Sequence, residues 1–120
     1  MVEQIKSYRD LVAWQKSMDL VLIVYRETAT LPAVEQFGLT AQLRRCAVSV
    51  PSNIAEGWGR GAGQDHIRFL RNARGSLYEL TTQIELCDRL AYGGEWNAVT
   101  NLADDVRRLL HGLIRSLETK

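Results

Sequence analysis

The chain has 120 residues, of which 46% are hydrophobic and 24% are charged, and its net charge is +1. This length and composition suit one globular domain over residues 1–120, which buries about two thirds of its unfolded surface without disulfides or metals. No run approaches the roughly 20 apolar residues that span a bilayer, and residues 1–6 lack the pattern of a secretory signal. We therefore expect a cytoplasmic protein with no membrane partner.

The first predicted helix covers residues 10–30. Asp10 is a good N-cap residue, and Leu31-Pro32 ends the helical pattern. The residues that follow the three-four spacing of one helix face are Leu11, Trp14, Met18, Val21 and Tyr25. Residues 20–25 are nevertheless apolar on all sides, whereas a helix in a small bundle needs only one apolar stripe. The sequence therefore implies a second buried surface, with a long loop lying over this segment as the alternative.

The second predicted helix covers residues 35–57 and contains a proline. Its apolar seam consists of Leu39, Leu43, Cys46, Val50, Ile54 and Gly57, with Asn53 beside it. Pro51 lies within this seam region and is expected to produce a kink or an irregular turn, because proline removes one helical hydrogen bond. The side opposite the seam carries small residues that let another backbone approach, namely Ala41, Val48, Ser52 and Ala55.

Two further helices complete the predicted fold. The third covers residues 65–92, with a seam of Leu70, Ala73, Leu77, Leu80, Ile84, Cys87 and Ala91, and glycines 93 and 94 end it. The fourth covers residues 95–117, with a seam of Val99, Leu102, Val106, Leu109 and Leu113. Four helices with short connections predict an all-α, antiparallel up-and-down four-helix bundle.

Gly75 is predicted to face outward from the third helix, opposite its seam. Glycine costs about 1 kcal/mol relative to alanine in an exposed helix interior. Its presence therefore suggests that another helix, another subunit or a ligand comes close, with random drift as the alternative.

Histidine, cysteine and serine form no recognisable catalytic or metal-binding pattern. His66 and His111 lack a carboxylate or second histidine at metal-binding helical spacing, and His66 is expected at the surface. Cys46 and Cys87 occupy core-facing positions, which favours buried apolar side chains over a disulfide. No strand-turn-helix elbow surrounds a serine. The sequence therefore predicts no catalytic residue, no metal site and no cofactor.

Residues 59–63 alternate glycine with other residues directly before the third helix. Such a loop could offer backbone N–H groups to phosphate, but it lacks the lysine and hydroxyl residue of a Walker loop and follows a helix. A flexible interhelical loop is favoured. Glu56 and Glu79 are interpreted as ion-pair partners of neighbouring arginines rather than as paired general acids.

Positive charge is concentrated in residues 39–74, which hold six arginines and two acids, a balance of +4. The arginine guanidinium is a planar donor suited to phosphate and carboxylate. We expect one continuous positive surface that binds nucleic acid, with an ordinary solvated charged face as the alternative. Its residues are Arg44, Arg45, Arg60, Arg68, Arg71 and Arg74.

Two segments carry a resemblance to a known family: QLRRCAVSVPSNIAEG at residues 42–57 and FLRNARGSLYEL at residues 69–80. They resemble the bacterial four-helix bundle family that includes proteins encoded in intervening sequences of ribosomal RNA genes and accessory variability proteins of diversity-generating retroelements. The resemblance covers about residues 8–117. It implies a non-enzymatic bundle that forms a ring, as a homopentamer, and for the retroelement members a basic surface that engages nucleic acid and a reverse transcriptase.

Two hypotheses follow from the residues and the resemblance together. The first is an oligomeric interaction module that presents its arginines to RNA, DNA or a nucleoprotein partner such as a reverse transcriptase. The second is an oligomer that binds only protein, because a net charge of +1 is low for a nucleic-acid-binding member. The residues expected to serve assembly or the structural signature are Pro51, Asn53, Glu56, Gly57, Gly75, Ser76 and Glu79.

Overall fold

All four predicted helices are present in the computed structural model, which describes residues 4–61 and 63–119. They are α1 (Val12–Thr28), α2 (Leu39–Gly59), α3 (Gln64–Arg89) and α4 (Trp96–Glu118). Two short 3-10 turns, Tyr8–Asp10 and Ala33–Glu35, precede α1 and α2. The described residues contain no strand, so the prediction of an all-α fold is confirmed.

Each helix packs against its neighbours in the chain, and α1 also packs against α4. Side-chain hydrogen bonds show that α2 and α3 are antiparallel. They join Gln42 to Gln83, Cys46 to Glu79 and Ser49 to Ser76, so residue numbers rise along α2 as they fall along α3. Arg71 in α3 reaches Glu118 at the end of α4, and Glu27 near the end of α1 reaches the backbone before α4. The molecule is therefore an up-and-down four-helix bundle.

All eight helix ends differ from the prediction by one to four residues, and three of the differences have a clear local reason. Asp10 is not the N-cap of α1: it closes a capping box with Ser7 around the first 3-10 turn. The second helix begins at Leu39 rather than at residue 35. Glu35 instead lies before the helix, and its carboxylate accepts the Leu39 N–H at 3.1 Å. The left-handed residue after α3 is Ala91 (φ 61°) rather than a glycine, and Tyr92 N–H closes the end on the Cys87 carbonyl.

The core faces of α2 and α3 match the predicted seams except at Ala91, which is exposed and follows the end of α3, whereas the core faces of α1 and α4 differ from the prediction. On α1 the buried stripe is Ala13, Ser17, Leu20 and Val24, while Trp14, Met18, Val21 and Tyr25 lie on another face. The sequence pattern did not indicate this core face, because residues 13 and 17 are small and the larger apolar residues dominate the hydrophobic periodicity of the helix. On α4 the fully buried residues are Val99, Ala103, Val106, Leu110 and Ile114, while Leu102, Leu109 and Leu113 pack at its margin.

Pro51 lies inside α2, and the helix runs through it without interruption, so the expected irregular turn is absent. Proline has no N–H, so the Ala47 carbonyl loses its usual helical partner. Side chains of the same stretch donate to the next two carbonyls rather than to that of Ala47: the Ser52 hydroxyl to the Val48 carbonyl at 2.8 Å, and the Asn53 amide to the Ser49 carbonyl at 2.7 Å. Pro51 itself is buried.

Gly57 lies where α2 and α3 approach each other closely. A Cβ atom added there would lie 3.0 Å from the Phe69 Cβ and 3.2 Å from the His66 backbone oxygen. Neither atom belongs to the flexible end of a side chain, so the two helices would have to separate. At Gly75 an added Cβ would meet no atom of this chain within 4 Å, and the residue is exposed as predicted.

The same substitution should therefore be far more destabilising at Gly57 than at Gly75. Gly57→Val should lower the free energy of unfolding by about 2–3 kcal/mol through overpacking, whereas Gly75→Val should change it by less than about 0.5 kcal/mol. Urea denaturation followed by circular dichroism measures both. An equal loss at Gly75 would contradict its open environment.

Candidate interaction surfaces

Arg44 is used inside the bundle. Its Nε atom donates to the Thr28 hydroxyl at 2.8 Å, and its guanidinium carbon lies 4.5 Å from the centre of the Tyr25 ring. The side chain is half-buried and joins α2 to the C-terminal end of α1, where a positive charge is favoured by the helix dipole. Arg44 therefore has a structural contact that the sequence did not indicate.

Arg60 and Arg68 form a second group at the corner between α2 and α3. Both guanidiniums lie over the Phe69 ring, at 5.2 and 4.7 Å from its centre. Arg60 pairs with Glu56 at 3.1 Å, as the interpretation of Glu56 predicted, and Arg68 pairs with Asp65 at 3.4 Å. These exposed ion pairs partly neutralise the charge of both arginines.

The remaining arginines lie in separate places. Arg71 pairs with Glu118 and links α3 to α4. Within the described residues, Arg45 and Arg74 make no ion pair; Arg45 is exposed on α2, and Arg74 is half-buried one turn along from Arg71. The six arginines are thus divided among several contacts, and Arg45 and Arg74 keep the charge most available to a ligand.

The signature residues meet along the α2–α3 contact. The hydroxyls of Ser49 and Ser76 are hydrogen-bonded at 2.5 Å, and the Cys46 thiol donates to the Glu79 carboxylate at 3.7 Å. Glu79 makes no ion pair with a described residue, so its interpretation as an arginine partner was wrong. Together with Gly57, these residues show that the signature stretch serves helix packing inside one chain.

A shallow apolar groove of about 340 Å³ runs between α1 and α2. We call it the α1–α2 groove, and it is lined by Tyr8, Trp14, Met18, Val21, Val48, Pro51, Ser52 and Ala55. Beside it Leu22 is 70% exposed and Tyr25 is 43% exposed. This is the second apolar face implied by residues 20–25, and no part of the described chain covers it.

A second exposed apolar group lies at the turn between α1 and α2. Val34 and Phe37, which we call the turn tip, are 84% and 89% exposed. Sequence analysis did not select them, although two large apolar residues in a short turn between Pro32 and Gly38 are a recognisable signal. Glu35 is the one charged residue between them in the sequence.

Four buried titratable side chains have shifted pKa values. The Glu95 backbone N–H at 2.8 Å, followed by Arg26, lowers the pKa of Glu27, which joins α1 to the start of α4. Burial raises the pKa of the Cys46 and Cys87 thiols, which are free and buried as predicted. Burial lowers the pKa of His66, which is only 6% exposed, so its expected surface position was wrong.

The geometry of these side chains offers structural contacts rather than converging reactive groups. Among the described residues, no three of histidine, cysteine, aspartate or glutamate are placed to hold a metal ion. None of the described helices is long and apolar enough to cross a membrane. The class that fold and surfaces define is an all-α four-helix bundle with exposed apolar and charged faces.

Comparison with known proteins identifies the family. The family model for the "23S rRNA-intervening sequence protein" matches residues 9–112, so the chain belongs to this family and the predicted resemblance is confirmed. A solved structure from Bacteroides thetaiotaomicron, described as a protein with unknown function from the S23 ribosomal protein family, has the same fold, with a TM-score of 0.76 and 22% identity over 86% of this chain and 98% of that one. No curated protein matches. The relation to retroelement accessory proteins stays a prediction.

Acidification should destabilise the bundle through His66. Because burial lowers its pKa below the usual value near 6.5, the unfolded chain takes up a proton at a higher pH than the folded chain. The stabilising contribution is complete above the unfolded pKa and is lost as the pH falls from there toward the folded pKa, by at most about 1.4 kcal/mol per pH unit.

The urea midpoint of the wild type should therefore be lower at about pH 5.5 than at about pH 7.5. His66→Asn removes the titrating group and should show a smaller difference between the two pH values. A variant with the wild-type difference would assign the pH dependence to other groups, such as Glu27.

Proposed function

We propose that the protein is a non-enzymatic, self-assembling interaction module. The observation that carries this proposal is the α1–α2 groove with its exposed apolar surroundings. Leu22 is 70% exposed and Met18 is 42% exposed, so these side chains contribute little burial free energy to a monomer. Large exposed apolar patches commonly mark protein interfaces. The family resemblance supports a cyclic arrangement of five copies, and cyclic symmetry repeats each surface of the chain around the ring.

Arg45 and Arg74 are the residues that we propose for contact with nucleic acid or a nucleoprotein partner. Support comes from their lack of an ion pair within the described part of the chain and from the balance of +4 in residues 39–74. Repetition around a ring would multiply a field that is weak in one copy. Arg60, Arg68 and Arg71 are partly neutralised and would contribute after exchanging their carboxylate partners for phosphate.

The second candidate function is an oligomer whose only partner is protein, such as a reverse transcriptase. The ion pairs of Arg60, Arg68 and Arg71 and the packing of Arg44 against Tyr25 favour it, because four of six candidate arginines already have partners. For either function we propose that the protein is cytoplasmic. Its two cysteines are free and buried, as is usual for proteins in a reducing compartment.

Light scattering coupled to size-exclusion chromatography tests assembly and nucleic-acid content together. The wild type should elute as one discrete species with a mass that is a whole multiple of 13.6 kDa, five-fold for the ring that the family suggests. Its ratio of absorbance at 260 to 280 nm distinguishes bound nucleic acid from protein alone. A mass of 13.6 kDa across the accessible concentration range would overturn the proposal.

Binding to nucleic acid should depend on salt through Arg45 and Arg74. The logarithm of the association constant for duplex RNA should fall with the logarithm of salt concentration, and Arg45→Ala with Arg74→Ala should reduce this slope by about two. The matched control is Arg89→Ala with Arg108→Ala, which removes two exposed arginines outside residues 39–74 that pair with Glu85 and Asp105. Equal slopes for both double variants, or no binding at low salt, would favour the protein-only function.

A further inference from the structure

The turn tip is a rigid, uncharged projection. Backbone hydrogen bonds hold it, from Glu35 N–H to the Pro32 carbonyl at 2.9 Å and from Gly38 N–H to the Glu35 carbonyl at 2.9 Å. Its one carboxylate is turned inward, because Glu35 accepts from the Leu39 N–H at 3.1 Å and from the Tyr92 hydroxyl at 2.8 Å. Val34 and Phe37 therefore present an apolar surface that loses little conformational entropy when it is buried.

The α1–α2 groove has the complementary chemistry. Its eight lining residues include aromatic, aliphatic and small side chains but no charged group. An apolar side chain can therefore enter without desolvating a charge, which is the main penalty in apolar interfaces. The groove volume of about 340 Å³ accommodates an aromatic side chain.

The turn tip of one chain cannot fill the groove of the same chain. Val48 lies nine positions after Leu39, the first residue of α2, which corresponds to about 14 Å along the helix axis. The hydrogen-bonded turn holds the tip before the start of α2, at the end of the bundle. Both apolar surfaces thus stay open in a monomer, although each could cover the other between two copies.

We propose that the turn tip of one copy inserts Phe37, flanked by Val34, into the α1–α2 groove of the next copy. The two contacting surfaces are different, so the interface is heterologous, and each copy offers one tip and one groove. Such head-to-tail contacts close into a ring when the rotation between copies permits. This inference rests on the proposed self-assembly and specifies which surfaces carry it.

Two single variants break the contact from opposite sides. Phe37→Asp places a charge on a residue that is 89% exposed, and Ser52→Arg fills the groove from an exposed helix position. Neither removes a core side chain, and circular dichroism should show wild-type helicity. Each variant alone should have a mass of 13.6 kDa by light scattering.

An equimolar mixture of the two variants provides the decisive test. The Phe37→Asp chain keeps an intact groove and the Ser52→Arg chain keeps an intact tip, so each pair can form one contact and no more. The mixture should give a one-to-one heterodimer of twice the monomer mass. Native mass spectrometry identifies the composition, because the two variants differ in mass.

Matched controls change similar residues elsewhere. Tyr78→Asp replaces a 55% exposed aromatic residue on α3, and Ser116→Arg replaces an exposed serine on α4 whose hydroxyl bonds a backbone carbonyl, as that of Ser52 does. Both should assemble like the wild type. A wild type that assembles while Phe37→Asp also assembles, or a variant mixture that stays monomeric, overturns the tip-in-groove contact but leaves self-assembly standing. A monomeric wild type overturns self-assembly itself.

Discussion

The close approach of α2 and α3 at Gly57 constrains how these two helices pack. Without a side chain at this position, α2 comes within contact distance of the backbone at His66 and the first carbon of Phe69. About two helical turns before Gly57, the hydrogen bond between Ser49 and Ser76 joins the same two helices. At Gly57 and at the Ser49–Ser76 pair, residues of the signature stretch contribute to the packing of α2 against α3.

Because α2 and α3 are tightly joined, α1 and α4 complete the bundle from the other side, and α1 uses small residues to do so. Ala13 and Ser17 face the core, Trp14 is partly buried at its margin, and the large side chains Met18 and Leu22 are exposed. A chain of 120 residues has enough apolar residues for one core. The additional apolar surface on α1 is therefore the physical basis for assigning an interaction to this side of the molecule.

The charged residues give a different result, because side-chain partners rather than sequence position set their availability. Arginines at positions 44 and 45 are adjacent in the chain, yet one stacks on Tyr25 and the other faces solvent. A 100° step between adjacent helical residues separates them. Among the candidate arginines, Arg45 and Arg74 are the two without an ion pair to a described residue, and contact with an anionic partner is proposed there.

The sequence alone determined the number and type of helices, the seams of α2 and α3 and the outward position of Gly75, because hydrophobic periodicity and glycine or proline act within a few residues. Only the tertiary structure decided which face of α1 meets the core, that His66 is buried, and that Val34 and Phe37 project at one end. These outcomes depend on which side chains neighbouring helices bring into contact. Local pattern carries no information on that choice when a helix has two apolar faces.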